Sequence, residues 1–215
     1  MEVSLYVHGL GGRMGKAIKS LVENDAAVTL QENFEAADVA IDFSAPAALS
    51  GILKQCLQYR KPVVVGTTGH SPENVQLVQE ISKQIPVLFS ANFSLGMAAC
   101  LEAAEQISLH LKSLCQIEIV EAHHQTKKDK PSGAAFALSK AVNQENVPIH
   151  SIRAGDIIGD HTVYFIMAGE RIELKHQAQT REVFARGALY AAKFLRDKPA
   201  GLYSVKDLLY ATRQS

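Results

Sequence analysis

The sequence predicts an α/β chain in which an N-terminal, doubly wound parallel sheet is followed by a smaller α+β region with a mixed sheet. Three observations carry this. A β-branched apolar run leads directly into a glycine-rich turn and a helical pattern. Strand-length runs then alternate with helix-period segments as far as residue 93. After Gly96 the order changes to one long helix and a series of strand-length runs. The chain has 215 residues, 47% of them hydrophobic, enough for one large core or two small ones.

Residues 3–7 form the first strand, and Gly9-Leu10-Gly11-Gly12-Arg13-Met14-Gly15 turns into a helix whose stripe is Ile18, Leu21 and Val22. A glycine-rich turn between strand and helix suits a dinucleotide. The strand must turn tightly, the backbone must approach a pyrophosphate, and the helix N-terminus must offer free N–H groups. Residues 27–30 read as a short second strand followed by Gln31 and Glu32. Glu32 is the nearest candidate for the ribose diol, with Gln31 the alternative for the same place, and with no arginine beside it the preference leans to NADH over NADPH. Residues 39–43 are the third strand, reached by a brief crossover near residues 34–37, and Ser44-Ala45-Pro46 opens the next helix.

Residues 63–65 form a fourth strand ending at Gly66-Thr67-Thr68-Gly69, a small hydroxyl-bearing loop at the strand end where open parallel sheets bind ligands. Ser71-Pro72-Glu73 starts the following helix as N-cap, N1 proline and early acid. Residues 87–89 are the fifth strand, ending in Ser90-Ala91-Asn92-Phe93-Ser94. Beyond a helix over residues 97–111 come strand-length runs at 117–120, 149–153, 162–167 and 171–175, the last two a hairpin. Helical period returns over 181–195, and a short turn or helix follows at 205–210. The expected domains are residues 1–93 with 186–215 for the dinucleotide, and 94–185 for substrate binding and oligomerisation. A hinge joins them, and the C-terminal segment returns to the first domain.

Lys and Arg total 22, as do Asp and Glu, which excludes the broad basic field of a nucleic-acid binder. No apolar stretch approaches the ~18 residues of a membrane span. The N-terminus lacks a basic leader, so a cytoplasmic enzyme is expected. Cys56, Cys100 and Cys115 each fall in apolar runs and read as buried thiols of a reducing compartment.

The densest chemistry lies in residues 121–135. Glu121-Ala122-His123-His124 leaves a strand, Lys127, Lys128 and Lys130 follow, and Pro131-Ser132-Gly133 turns into a helix at Ala134. A histidine near its ordinary pKa of roughly 6.5 exchanges protons at neutral pH. Lys127 can donate a proton or hold a carboxylate, and the helix start with Ser132 makes a carboxylate cradle. No metal is expected. Neither a cysteine nor a third histidine stands at ligand spacing, and Glu121 is read as alternating off the histidine face.

These residues closely resemble the signature of the 4-hydroxy-tetrahydrodipicolinate (dihydrodipicolinate) reductase family of lysine and diaminopimelate biosynthesis. The resemblance continues through residues 9–15, 41–44, 66–69, 91–94, 151–156 and 159–162. It implies a Rossmann-like cofactor domain for NADH or NADPH. Gly9, Leu10, Gly11, Gly12, Arg13 and Met14 would hold the pyrophosphate. Gly66, Thr67 and Thr68 would line the nicotinamide side, with Ser90, Ala91, Asn92 and Phe93 closing the site. It further implies His123 and Lys127 as the catalytic pair and His124, Ser132, Gly133 and Ala134 as binders of a small dicarboxylate. A homotetramer built through the substrate-domain sheets is also implied.

Two departures stand out: Ala134 replaces the usual threonine, and Lys130 the usual alanine. The segment between the second and third strands is also short. The rival readings are a non-catalytic NAD(P) sensor, which loss of His123 or Lys127 would mark, and a reductase of another dicarboxylate such as aspartate dehydrogenase.

Overall fold

In the computed structural model, which describes residues 2–211, the N-terminal half alternates as expected. Its elements are β1 (Val3–His8), α1 (Arg13–Val22), β2 (Val28–Leu30), β3 (Val39–Asp42), α2 (Leu49–Gln58), β4 (Val63–Val65), α3 (Pro72–Ser82) and β5 (Pro86–Phe89). There follow α4 (Leu95–Leu111), β6 (Gln116–His123), α5 (Gly133–Ala141), β7 (Ile149–Arg153), β8 (Gly159–Met167) and β9 (Glu170–Ala178). The chain closes with α6 (Glu182–Leu195), β10 (Gly201–Tyr203) and α7 (Val205–Ala211). Two compact units result: one runs to Ser94 and resumes at Glu182, and the other is Leu95–Arg181. No helix among the described residues is long and apolar enough to cross a membrane.

The first unit holds a six-stranded sheet in the order β10-β5-β4-β3-β1-β2, every pair parallel. Its central strands are covered on both faces, so β3 and β4 are buried at every residue. The core joins Ala40, Val63, Val65 and Val87 to Leu49, Leu53 and Cys56 of α2 and Val78 and Ile81 of α3. Burial pushes the Cys56 thiol up to about 12, which makes it packing material. The crossover from β2 to β3 is a single 3-10 turn, Phe34–Ala36, capped by Asn33. Ser71 caps α3, accepting a bond from the Asn74 N–H at 3.4 Å, with Pro72 in the first turn.

The sixth strand is an addition to the sequence reading. β10 is three residues long and pairs with β5 from Gly201 to Tyr203. Three residues carry too little periodicity to declare a strand, and pairing with a buried edge makes this one. Meanwhile α6 buries a ridge of small residues, Ala185, Gly187, Ala188, Ala191 and Ala192.

The second unit is a mixed sheet in the order β7-β6-β8-β9, with β6 parallel to β7 and antiparallel to β8. One face packs on α4 and α5: Ile117, Ile119, Val163 and Phe165 meet Met97, Ala104, Ala135 and Leu138. The other face carries Val120, Ala122, Tyr164 and the exposed Ile152 and Ile166.

A Cβ at Gly187 would run into the carbonyl of Phe93, a collision with backbone that a side-chain rotation cannot relieve. Gly187→Ala is therefore expected to destabilise the first unit by about 1–3 kcal/mol, as overpacking does. The check is a urea titration of both proteins; an unchanged midpoint would show that α6 shifts freely.

Candidate active site

In the first unit the chain leaves β1 for β2 on one side and returns to β3 on the other, so strand order reverses between β1 and β3. Ligands of open parallel sheets bind at such a reversal, outside the strands' carboxyl ends. The glycine loop occupies that place. Gly9 has φ +84°, a left-handed conformation that a side chain would strain, and a Cβ there would strike the Phe43 carbonyl. A Cβ on Gly15 would strike the backbone of Gly9 and Leu10, so its absence lets α1 start directly against the loop. Gly11 has open space where a side chain would stand.

Not all of the expected cofactor residues offer surface. Leu10, Gly11, Gly12, Arg13, Glu32, Thr68 and Ala91 are exposed, and Gly9, Met14, Ser90 and Asn92 are half-buried. Gly66 and Thr67 are buried, with Thr67 Oγ1 donating to the Asp42 carbonyl at 3.4 Å. Phe93 is only 2% exposed and stacks edge-on against Phe43 at 5.7 Å, so its ring supports the loop from behind. Asp42 is wholly buried, and its Oδ1 accepts from the Ser44 N–H and hydroxyl at 2.8 and 2.5 Å.

In the second unit the site grows out of the core stripe. β6 alternates, so Ile117, Ile119, Glu121 and His123 share one face. The first two join the core, and the last two continue the same face as a buried polar patch. Glu121 therefore does not alternate off the His123 face, as the sequence reading had it: residues two apart on a strand point the same way. Parallel pairing sets Arg153 opposite His123, and antiparallel pairing sets His161 opposite Glu121.

The patch is tightly bonded. Arg153 grips both Glu121 oxygens, Nη1 to Oε2 at 2.9 Å and Nη2 to Oε1 at 2.8 Å. Oε2 also meets His123 Nδ1 at 2.5 Å. Burial alone would raise the Glu121 carboxyl, but bonds from Arg153, Ser151 and His123 outweigh it and hold the group at about 2. Glu121 is thus a carboxylate that can only accept, which places the His123 proton on Nδ1. The His123 imidazole lies below its ordinary value because burial outweighs the pull of Glu121, and Lys127 and Arg153 push the same way. The expectation of a histidine at its ordinary pKa gives way to a neutral ring of assigned tautomer. His161 is driven lower still, to about 4, by burial and then by His123, whose ring lies 5.1 Å away.

His124 lies just past the end of β6, half-buried, with Nδ1 2.8 Å from the Thr126 hydroxyl. Lys127 Nζ pairs with Asp129 at 2.8 Å, while Lys128 and Lys130 are exposed. Ser132 caps α5, its Oγ accepting from the Ala135 N–H at 3.2 Å and lying 3.1 Å from His161 Nε2. Ser132 is 2% exposed and its hydroxyl already engaged twice, so the N–H groups of Gly133 and Ala134 are the open part of this helix start. Gly133 is exposed, and Ala134 packs partly against the α4–α5 core.

Glu121, His123 and His161 bring their ligand atoms within 4.8 Å of one another. This is the third histidine that spacing in the sequence could not supply. Arg153 already neutralises the carboxylate of that set and repels a second cation. Arg153 and His161 had no assigned role in the sequence reading, because they reach the site from other strands.

Two family profiles match the chain: "Dihydrodipicolinate reductase, N-terminus" over residues 27–93 and "Dihydrodipicolinate reductase, C-terminus" over residues 96–209. A 4-hydroxy-tetrahydrodipicolinate reductase of Thermosipho africanus is 42% identical over 212 residues, spanning 94% of this chain and 96% of that protein. One of Xanthomonas euvesicatoria is 40% identical over 235 residues, spanning 96% and 98%. Among solved structures, a dipicolinate-bound dihydrodipicolinate reductase from Paenisporosarcina shares the fold with a TM-score of 0.81 at 20% identity, over 96% of this chain and 99% of that one. Aspartate dehydrogenase of Thermotoga maritima shares it more loosely, with a TM-score of 0.51 at 14% identity over 93% and 98%.

The buried groups predict acid sensitivity. His161, lowered to about 4 from 6.5, makes the unfolded chain the better proton binder, so stability falls as pH drops from about 6.5 through 4. Glu121, lowered to about 2 from 4.5, contributes stability that is complete above 4.5 and lost as pH falls toward 2. Urea midpoints are expected to decline across both windows, and His161→Asn to flatten the upper one. An unaltered upper slope would assign that loss to other groups.

Proposed function

The chain belongs to the dihydrodipicolinate reductase family, and on that premise we propose that it reduces 4-hydroxy-tetrahydrodipicolinate with a reduced pyridine nucleotide. This is the step of lysine and diaminopimelate biosynthesis that its signature residues imply. The observation that carries the proposal is that family membership spans both units, while the second unit holds His123 and Lys127 in one bonded network. The residues of the first unit fit the nucleotide. No side chain caps the start of α1, so its opening N–H groups would be available to a pyrophosphate, and space is open at Gly11. When bound, the nicotinamide supplies hydride.

The substrate is a cyclic imine dicarboxylate that loses its hydroxyl as water. Its two carboxylates call for cations and N–H groups. Lys128 and Lys130 stand exposed on the loop, and the backbone of Gly133 and Ala134 opens α5 behind its Ser132 cap. A proton must reach the carbon beside the one that takes the hydride. His123 is uncharged near neutrality and its Nδ1 hydrogen is committed to Glu121, so it serves as an acceptor through Nε2. The Lys127 ammonium, steadied by Asp129, is then the donor and the stabiliser of developing negative charge.

Glu32, exposed two residues beyond β2, would accept from ribose hydroxyls and repel a 2′-phosphate, which supports NADH as the preferred reductant. The exposed apolar face of the second sheet, with Ile152 and Ile166, supports a homotetramer assembled through it. Three free thiols suit a cytoplasmic setting.

The decisive experiment supplies the condensation product of pyruvate and aspartate semialdehyde and follows loss of reduced-nicotinamide absorbance with each nucleotide. Turnover is expected, faster at limiting NADH; no turnover with either from folded protein would overturn the reductase reading. Lys127→Ala is expected to lower kcat ~10²-fold. An unchanged rate would move the proton transfer elsewhere. Glu32→Arg is expected to shift the ratio of kcat/KM toward NADPH, and an unmoved ratio would remove Glu32 from the ribose site.

A further inference from the structure

Arg153 ends β7, an edge strand, and no step of the chemistry above uses it. Its side chain is nevertheless only 7% exposed. A buried guanidinium keeps its charge, so it must meet acceptors or destabilise the fold. It meets them on segments far apart in sequence. One is Glu121, held through both oxygens at 2.9 and 2.8 Å. Another is the Asp129 carbonyl, which accepts from Nη2 at 2.6 Å, and Nη1 turns back to the Ile152 carbonyl at 2.7 Å.

Each of the first two acceptors stands directly behind a proton-handling group. Glu121 accepts from His123 Nδ1 at 2.5 Å, and the Asp129 carboxylate pairs with Lys127 Nζ at 2.8 Å. We propose that Arg153 is the positioning residue for both: through Glu121 it sets the tautomer and orientation of His123, and through the Asp129 carbonyl it sets the reach of Lys127. The consequence for rate rests on the reductase reading, whereas the consequence for the imidazole rests on geometry alone.

The fork is what qualifies arginine for this place. Lysine would keep the charge but present it at one point, and cannot span two carboxylate oxygens and a distant carbonyl together. The charged and titratable groups around His123 are Glu121 on its own strand, Arg153 from β7, His161 from β8, and Lys127 with Asp129 from the loop. Removing the guanidinium takes away a repulsion felt by the imidazolium and leaves Glu121 to His123, so the ring titrates at higher pH.

The test uses the full chain as wild type, Arg153→Lys and Arg153→Met, with thermal melts to identify the folded variants. Nitrogen-15 histidine spectra of the wild type at neutral pH are expected to show His123 protonated on Nδ1, and its titration to move upward in Arg153→Met. In the coupled assay Arg153→Lys is expected to lose kcat by ~10- to 100-fold, as a small misplacement of reacting groups does, with KM for the nucleotide within about twofold. An Nε2-protonated ring in the wild type overturns the proposal, and that reading is available even if both variants fail to fold. So does a folded Arg153→Lys with wild-type kcat. If the wild type itself shows no turnover, it is the reductase reading that falls, and the imidazole spectra alone decide the role of Arg153.

Discussion

The second unit depends on one buried ion pair. Glu121 is fully buried and Arg153 nearly so, and taking two such charges out of water costs several kcal/mol each. The pair is tolerable because most of its bonding capacity is used, although Arg153 Nε is buried without a partner: two parallel bonds join fork and carboxylate, a third reaches Glu121 from His123, and two more run from Arg153 to backbone carbonyls. Around this pair lie the His123 ring, bonded to Glu121, and the loop at Asp129, whose carbonyl Arg153 holds. The attraction within a buried pair can be matched by its desolvation cost, so such a pair is weak evidence of net stability. Removing one partner strands a buried charge, and replacing both by apolar groups would still take away the partners of His123 Nδ1 and the Asp129 carbonyl.

The first unit is governed by close approach instead of charge. Its sheet reverses strand order between β1 and β3, and the loops that leave those strands lie closer together than side chains permit. Glycine at position 9 allows that contact, glycine at 15 lets α1 start against the same loop, and the ring of Phe43 packs with Phe93 behind it. The result is a loop lined by backbone at the reversal of strand order, followed by a helix start that no side chain caps. Backbone donors at a helix start are fixed in place, which is the physical reason such loops suit anions in general.

Much of this was legible in the residues. The glycine loop and the Ser71-Pro72-Glu73 start of α3 followed from turn and cap chemistry, which is local, and the brief crossover near Phe34 followed from the short spacing of the strands it joins. So did the loop from His124 to Ser132, whose charge density marks it wherever it lies. The faces of β6 follow from the same reasoning, since a period of two puts Glu121 with His123, and the expectation that Glu121 alternates off that face is corrected by it. β10 was beyond reach because a strand of three residues exists only through its neighbour β5.

The sequence, through periodicity, turn chemistry and signature blocks, was enough to establish an α/β chain of the reductase family, with its glycine loop and its basic loop. Those signals depend on residues near one another along the chain, and local sterics act at that range. Tertiary structure alone decided which charges are buried together. Arg153 and His161 stand more than twenty-five positions from Glu121 and reach it only because β7 and β8 flank β6 in register. Burial then turned an ordinary histidine into a neutral one with a chosen tautomer, since proton affinity follows the surroundings a fold assembles and not the identity of the side chain.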